Sequence, residues 1–201
     1  MSNKSNYRDG DSFTKKSKRD GYRSRASYKL KEILSKDLSL NRNSSVIDLG
    51  SFPGGWTQVL KEYLGTKAKV VAVDIQPMEK IEGCFFLHKS IEDLQAKDFE
   101  EIKNFLPFDL VLSDMAPNIS GIKERDNALM INLVDSTLSV VDKFLKKKGS
   151  VLIKVFQGES LDYTRTALKT RFDKVKISKP KASRPNSNEI YIIGKELKQH
   201  E

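Results

Sequence analysis

Short apolar runs alternate with segments of helical periodicity along most of the chain. The runs have the length and the β-branched or aromatic content of buried strands. They cover Ser45 to Leu49, Lys69 to Asp74, Cys84 to His88, Phe108 to Ser113, Ser150 to Val155, Phe172 to Ile177 and Glu189 to Gly194. Helical patterns cover Gly55 to Leu64, Leu94 to Phe105, Asp126 to Lys147 and Ser160 to Lys169, and another starts at Tyr22. This alternation predicts an α/β fold, in which a mainly parallel sheet carries helices on both faces.

The first part of the chain lacks such a pattern. Residues 1–21 are polar and charged with little periodic hydrophobicity, which predicts a flexible basic arm. Residues 22–201 are predicted to form one domain, because 201 residues suffice for one sizeable core but not for two. No apolar run approaches the roughly 18 to 20 residues that cross a bilayer, and the beginning of the chain does not resemble a secretory signal. We therefore expect a cytoplasmic protein, or one of an organelle matrix, with no membrane partner.

Positive charge is concentrated in two segments. Residues 1–31 carry a net +7 and residues 169–186 a net +6, so the remaining chain carries −4 to reach the overall +9. Segregated basic surfaces attract polyanions such as RNA through phosphate neutralisation. A solubilising tail and a solvated face would give the same composition. The single cysteine, Cys84, and two histidines, His88 and His200, make a metal site improbable from composition.

A glycine-rich turn follows the first predicted strand, in Val46-Ile-Asp-Leu-Gly-Ser-Phe-Pro-Gly-Gly-Trp56. Gly50, Gly54 and Gly55 allow a tight turn and a close approach to a ligand. The spacing is neither the G-x-G-x-x-G dinucleotide fingerprint nor a Walker loop. Asp74 ends the second strand, where a carboxylate can accept hydrogen bonds from both ribose hydroxyls of an adenosine. Each feature alone also suits a simple turn or a helix cap, but together they favour a nucleoside cofactor.

Charged residues border three later strands. Asp114 follows the fourth strand and precedes Met115 to Asn118, a stretch without the aromatic ring that base-amino methyltransferases usually carry there. Methylation of a base nitrogen is therefore disfavoured. Lys154 stands within an apolar run, where a desolvated lysine beside carboxylates can be tuned towards a general base, or can simply extend its amine to solvent. Glu189 opens the last strand.

Several motifs, in order, resemble the FtsJ/RrmJ (RlmE) family of RNA ribose 2′-O-methyltransferases, and the resemblance covers Gly21 to Gly194. It is carried by Arg23-Ser-Arg-Ala-Ser-Tyr-Lys-Leu30, Asp48-Leu-Gly50, Pro53-Gly-Gly-Trp56, Asp74, Ser113-Asp-Met-Ala-Pro-Asn118, Ser120-Gly121, Lys154-Val-Phe-Gln-Gly-Glu159, Lys179-Pro180 and Glu189-Ile-Tyr191. The resemblance implies a Rossmann-like fold, with a seven-stranded, mostly parallel sheet, that binds S-adenosylmethionine.

The resemblance also implies site residues. The family's Lys-Asp-Lys-Glu tetrad falls on Lys29, Asp114, Lys154 and Glu189. Cofactor contacts are expected from the glycine turn and beyond, at Gly50, Gly54, Gly55, Trp56, Asp74 and Asp114. One position departs from the family: Ser90 stands where an acid near the adenine is typical. Ser90 stays a candidate contact, because its hydroxyl can make one hydrogen bond but brings no charge.

The implied reaction is metal-free methyl transfer to a 2′-hydroxyl of 23S ribosomal RNA, at an A-loop uridine of the assembled large subunit. We hypothesise that Lys154 removes the hydroxyl proton, that Asp114 and Glu189 position Lys154, and that Lys29 orients the RNA. Phosphate contacts are predicted from Arg23, Arg25, Lys179, Lys181 and Arg184. A monomer is expected. The alternatives are a methyltransferase of the tRNA anticodon loop, a non-catalytic ribosome assembly factor and, least favoured, a nucleotide-dependent dehydrogenase.

Overall fold

The computed structural model describes residues 12–65, 67–184 and 187–198. Its strands are β1 (Ser45–Leu49), β2 (Lys69–Asp74), β3 (Cys84–His88), β4 (Phe108–Ser113), β5 (Leu145–Phe156), β6 (Phe172–Ser178) and β7 (Glu189–Leu197). Its α-helices are α1 (Ser12–Arg19), α2 (Ser27–Lys36), α3 (Gly55–Leu64), α4 (Lys123–Phe144) and α5 (Glu159–Arg171). Short 3₁₀ segments cover Ile91–Asp93 and Ala96–Phe105.

The strands form one sheet in the order β3-β2-β1-β4-β5-β7-β6. All neighbouring pairs are parallel except those of β7, which runs antiparallel to β5 and to β6. The predicted α/β fold and mainly parallel sheet are confirmed. The chain first builds outward from β1 to β3 and then returns to place β4 on the other side of β1. The reversal opens a crevice at the carboxyl ends of β1 and β4, where ligands of such sheets bind.

Successive side chains of the central strands enter two hydrophobic cores. Ile47 and Leu49 pack with α4 and α5 on one face, whereas Val46 packs with α2 and α3 on the other. Every residue of β1 is buried, because helices cover both faces of the sheet. A rigid central sheet therefore supports the residues at its carboxyl edge. Among the described residues, no helix is long and apolar enough to cross a membrane.

Three predicted helices differ from the observed elements. The helix expected to start at Tyr22 begins only at Ser27. The helix expected over Leu94 to Phe105 is a 3₁₀ segment with non-helical φ/ψ at Ile102. The helix expected to reach Lys147 ends at Phe144, where the chain enters β5. Leu145 is buried and pairs with Phe108 across the sheet, and Lys148 has a positive φ of 62° that a helix does not accommodate. Tertiary packing thus overrides the local helical pattern.

The predicted basic arm over residues 1–21 is only partly described, since residues 1–11 lie outside the described ranges. From Ser12 to Arg19 the chain forms α1 instead of an irregular segment. The ring of Phe13 lies 5.6 Å from that of Tyr28, and the hydroxyl of Tyr28 donates to Asp20 at 2.6 Å. These contacts dock α1 against α2. His200, the second histidine considered for metal binding, also lies outside the described residues.

Candidate active site

Three charged side chains meet where β4, β5 and β7 end or begin. Asp114 follows β4, and Lys154 lies near the end of β5. Because β7 is antiparallel to β5, its first residue, Glu189, pairs with Phe156 at the same edge of the sheet. Lys29, on α2, reaches this edge from outside the sheet. The structure thus brings together all four residues of the predicted tetrad.

The tetrad is a chain of alternating charges. The Nζ atom of Lys154 lies 3.2 Å from Oδ1 of Asp114 and 3.9 Å from Oε1 of Glu189. The Nζ atom of Lys29 donates to the other Glu189 oxygen at 3.0 Å. Both lysines are buried, with 7% and 8% of their surface exposed for Lys154 and Lys29. Buried cations need such partners, and Glu189 serves both of them.

Glu189 is held as a carboxylate by its neighbours. Burial alone would raise its pKa, but Lys29 and Lys154 outweigh that effect and hold the pKa below its ordinary value. A permanent negative charge therefore sits between the two lysines at neutral pH. It fixes the two ammonium or amine groups relative to each other without carrying a proton itself.

Tyr191 completes the cluster, although the sequence did not single it out as a site residue. Its hydroxyl donates to Oδ1 of Asp114 at 2.7 Å, and its ring lies 5.7 Å from both the Lys29 Nζ atom and the Trp56 ring. The side chain is fully buried. One signal was available: Tyr191 follows Glu189 by two residues in a strand, so both side chains face the same side of the sheet.

Asp74 is oriented by backbone amides in the crevice between β1 and β2. Its Oδ2 accepts from the amide of Phe52 at 2.8 Å and its Oδ1 from the amide of Gln76 at 2.8 Å. The residue is 8% exposed. Each carboxylate oxygen keeps a second lone pair that can accept a ribose hydroxyl. The geometry therefore suits the predicted contact with the ribose of a nucleoside.

The glycine turn brings three chain segments into close contact. Gly54 has a φ of 107°, and a Cβ there would lie 2.9 Å from the side chains of Arg23, Met78 and Ile81. At Gly50 a Cβ would meet the side chain of Met115 at 2.2 Å. Substitution at either position would thus add backbone strain and a clash.

A cavity near Asp114 carries polar atoms suited to S-adenosylmethionine. It is lined by Ser24, Ala26, Asp48, Gly50, Ser51, Phe52, Pro53, Gly55, Trp56 and Asp114. The Oδ1 of Asp48 and the Oγ of Ser51 are buried there and lack a hydrogen-bond partner among the described residues. Buried polar atoms are rarely left in this state, so a polar ligand that satisfies them fits the site. The cavity measures about 20 Å³, and the side chain of Met115 lies against Gly50, one of its lining residues.

Asp48 is the most deeply buried acid of this crevice. Burial, with smaller contributions from Asp114 and Asp74, raises its pKa to about 7, although a hydrogen bond from Thr57 at 2.7 Å opposes the shift. Asp48 is predicted from the sequence as a strand residue and not as a site residue. No sequence pattern indicates that a polar atom of Asp48 or Ser51 is buried without a hydrogen-bond partner. That property depends on how the crevice packs in the folded protein.

Ser90 lies between β3, the strand at the edge of the sheet, and a 3₁₀ turn. It is half-buried, and its side chain makes no capping hydrogen bond. Its neighbour His88 contacts the carbonyl oxygen of Ile75, directly after Asp74, at 2.9 Å. This places the β3 end beside the residue that follows Asp74. The adenine contact of Ser90 stays a prediction.

Arg23, predicted to contact an RNA phosphate, binds backbone carbonyl oxygens of the protein. Its guanidinium donates to the carbonyl oxygens of Pro53 at 3.2 Å, Glu79 at 2.8 Å and Lys80 at 3.3 Å. Only 22% of its side chain is exposed. Arg23 thus ties the glycine turn to the loop after β2. A sequence cannot separate these roles, since phosphate and carbonyl oxygens both accept from the same N–H groups.

The other predicted RNA contacts divide into one half-buried and three exposed residues. Arg25 donates to the carbonyl oxygen of Ala182 at 2.5 Å, and burial lowers its pKa. It therefore tethers the β6–β7 connection to the start of α2. The exposed residues are Lys179, Lys181 and Arg184, all on that connection. Because the connection leads into Glu189, these cations lie on the tetrad side of the sheet.

Known proteins share this fold and much of the sequence. The FtsJ-like methyltransferase family matches residues 22–197. The ribosomal RNA large subunit methyltransferase E of Stenotrophomonas maltophilia is 43% identical over 94% of this chain and 91% of that protein. The same-named protein of Marinobacter nauticus is 45% identical over 92% and 90% of the two chains.

Solved structures agree with these matches. A ribosomal RNA methyltransferase of Plasmodium falciparum superposes with a TM-score of 0.78 and 30% identity, over 88% of this chain and 98% of that chain. A Streptococcus mutans methyltransferase in complex with S-adenosylhomocysteine has a TM-score of 0.52 and 17% identity, over 86% and 96% of the two chains, and shares the fold. The predicted Rossmann-like fold is confirmed. The chain belongs to the FtsJ-like methyltransferase family, and its cofactor is S-adenosylmethionine.

Proposed function

We propose that this protein methylates the ribose 2′-hydroxyl of a uridine in 23S ribosomal RNA, in the A-loop of the assembled 50S particle. The observation that carries the proposal is the Lys29-Glu189-Lys154-Asp114 chain, with its two buried lysines, beside the cofactor crevice. Relatives that share more than two-fifths of the sequence are named for methylation of large-subunit ribosomal RNA. We further propose that the enzyme acts in the cytoplasm and that it is a monomer, the latter because one chain supplies the whole tetrad.

The crevice residues would hold the cofactor. Asp74 would accept from its ribose, while Asp48, Ser51 and Asp114 line the cavity that would hold the rest of it. When bound, S-adenosylmethionine supplies an electrophilic methyl group on a sulfonium centre. Asp114 belongs to both the crevice and the tetrad, because it lines the cavity and contacts Lys154. The acceptor oxygen must therefore lie near Lys154 to be methylated.

Lys154 would act as the general base. Its amine, in the neutral form, accepts the proton of the 2′-hydroxyl, and the oxygen gains nucleophilicity as that proton leaves. The resulting ammonium is stabilised by Asp114 at 3.2 Å and Glu189 at 3.9 Å. Lys29 keeps Glu189 in place through their 3.0 Å contact and would orient the ribose or the adjacent phosphate. Residues of the β6–β7 connection would fix the register by binding phosphates.

Mapping of 2′-O-methyl sites in cellular RNA tests the proposal. We expect one uridine of the 23S A-loop to lose its 2′-O-methyl group in cells without the protein and to regain it when the gene is restored. Purified protein should methylate large ribosomal particles from the deficient cells. Methylation of the tRNA anticodon loop instead would contradict the proposed substrate. Absence of any methyl transfer, with no binding of S-adenosylmethionine, would favour a non-catalytic assembly factor.

A further inference from the structure

The tetrad lies between two connections at the carboxyl edge of the sheet. β4 and β7 flank β5 on opposite sides. The connection from β4 to α4, residues 114–122, begins at Asp114 on one side. The β6–β7 connection, which carries the predicted phosphate contacts, ends at Glu189 on the other side. An RNA that places a ribose at Lys154 would thus meet both connections.

The β4–α4 connection contains a turn of defined shape. The carboxylate of Asp126, in the first turn of α4, accepts from the Ser120 amide at 2.8 Å, the Ser120 hydroxyl at 2.7 Å and the Gly121 amide at 3.1 Å. Asp126 is 8% exposed. Gly121 has a φ of 84°, a conformation that favours glycine. Three hydrogen bonds to one buried carboxylate therefore hold the turn against the helix.

The anchored turn exposes apolar and cationic side chains together. Ile119 and Ile122, which flank it, are 71% and 57% exposed. Lys123 and Arg125, at the start of α4, are also exposed, next to an exposed Glu124. Isoleucines that project from a fixed turn gain free energy when an apolar surface covers them. The adjacent cations favour an occupant that combines such a surface with negative charge.

We propose that Ile119 and Ile122 pack against a nucleobase next to the methylated ribose, while Lys123 and Arg125 contact the phosphates beside it. This inference rests on the proposed function and adds a second RNA-binding surface to it. A nucleotide combines the apolar face of its base with a negatively charged phosphate, which matches this pairing of apolar and cationic side chains. Sequence-specific RNA recognition targets unstacked bases, and apolar wedges hold bases out of the stack. Two isoleucines are too small a surface for a stable protein partner, which needs about 1,200 Å² or more in total.

The double variant Ile119→Ser/Ile122→Ser tests the apolar part. We expect kcat/KM for large ribosomal particles to fall about tenfold or more, since each buried isoleucine contributes that much to binding. The affinity for S-adenosylmethionine, followed by fluorescence of the single tryptophan, Trp56, should not change. The matched control is Tyr63→Ser, which removes a 44% exposed apolar side chain from the far end of α3. An unchanged kcat/KM in the double variant, with the parent protein active, would overturn the inference.

The double variant Lys123→Gln/Arg125→Gln tests the ionic part. Loss of two phosphate contacts should make the slope of log affinity against log salt shallower by about 1.5, whereas the isoleucine variant should keep the parent slope. Equal slopes in parent and lysine–arginine variant would overturn this part.

A photocrosslinking amino acid at position 119, introduced as Ile119→p-benzoylphenylalanine, identifies the occupant. Crosslinks to nucleotides adjacent to the methylated uridine support the proposal, and crosslinks to a ribosomal protein overturn it. If the parent protein itself fails to methylate the particles, the proposed function fails, and that outcome is separate from any effect of these variants.

Discussion

Tyr191 and Lys154 contact the same oxygen of Asp114. The phenol donates to Oδ1 at 2.7 Å, and the Nζ atom of Lys154 lies 3.2 Å from that oxygen. Burial first, and then Asp114, raises the pKa of Tyr191 well above its ordinary value, so the phenol remains a neutral donor. Oδ1 is therefore held in place by two protein groups.

The variant Tyr191→Phe should slow methyl transfer. Loss of a hydrogen bond to a charged group costs about 1.5 to 3 kcal/mol, and we expect kcat to fall by about tenfold or more because Asp114 no longer holds Lys154 as firmly. The matched control is Tyr163→Phe, which removes a 2.6 Å hydrogen bond from an exposed tyrosine to Asp135. Single-turnover rates of both variants check the prediction. A parent-like rate in Tyr191→Phe would show that Asp114 needs no help from the phenol.

The variant Lys154→Ala should abolish methyl transfer and retain cofactor binding, because the amine that takes the hydroxyl proton is gone. Removal of a buried cation also takes the lysine contact from Asp114 and leaves Glu189 with Lys29 alone, so the alanine variant loses stability. Lys154→Arg keeps the charge and cannot act as a base at neutral pH. We expect both variants to be inactive and the arginine variant to unfold at a temperature closer to that of the parent. Undiminished turnover in either one would exclude Lys154 as the base.

Local patterns sufficed for the parts of the fold whose signals are local. Strands β1 to β4 have the predicted bounds, because each is an apolar run bordered by polar or turn residues. The end of α4 could not be predicted, since its helical pattern continues to Lys147. Only the pairing of Leu145 with Phe108 in the finished sheet ends the helix earlier. That contact joins residues far apart in the sequence.

The same limit applies to the site. The tetrad could be placed from motifs, because each member occupies a charged position at a strand end or in α2. The partners of each charged side chain could not be predicted from the sequence, as Arg23 illustrates. A guanidinium that binds RNA and one that binds three carbonyl oxygens look alike in a sequence, and only the folded loops decide between them.

Arg23→Ala should weaken cofactor binding and leave the ionic part of RNA binding intact. The guanidinium joins Pro53 to Glu79 and Lys80, so its loss frees the loop after β2 at the ribose end of the crevice. We expect the dissociation constant of S-adenosylmethionine to rise by about tenfold, the effect of losing hydrogen bonds worth about 1.4 kcal/mol in total. The salt dependence of RNA binding should match the parent.

Lys181→Ala is the contrasting variant, because Lys181 is exposed on the β6–β7 connection. In this variant the slope of log RNA affinity against log salt should become shallower by about 1, while the affinity for S-adenosylmethionine should match that of the parent. Calorimetry with the cofactor and RNA binding at several salt concentrations distinguish the two. If Arg23→Ala also made the slope of log RNA affinity against log salt shallower, Arg23 would be a phosphate contact, as the sequence predicts.

Asp48 should make the cofactor-free protein less stable as pH rises. Its pKa is raised from 3.8 to about 7 by burial, so between these values the native protein holds a proton that the unfolded chain has released. Stability falls with pH wherever the native state binds more protons. From pH 5 to pH 8 the free energy of unfolding should fall by about 2 to 3 kcal/mol through this group.

The variant Asp48→Asn tests this, because an asparagine cannot titrate. Between pH 5 and pH 8 its free energy of unfolding should rise by that amount relative to the parent. Urea unfolding at both pH values measures it, with the exposed Asp93→Asn as control. Parallel pH profiles for parent and Asp48→Asn would mean that Asp48 is already ionised at pH 5.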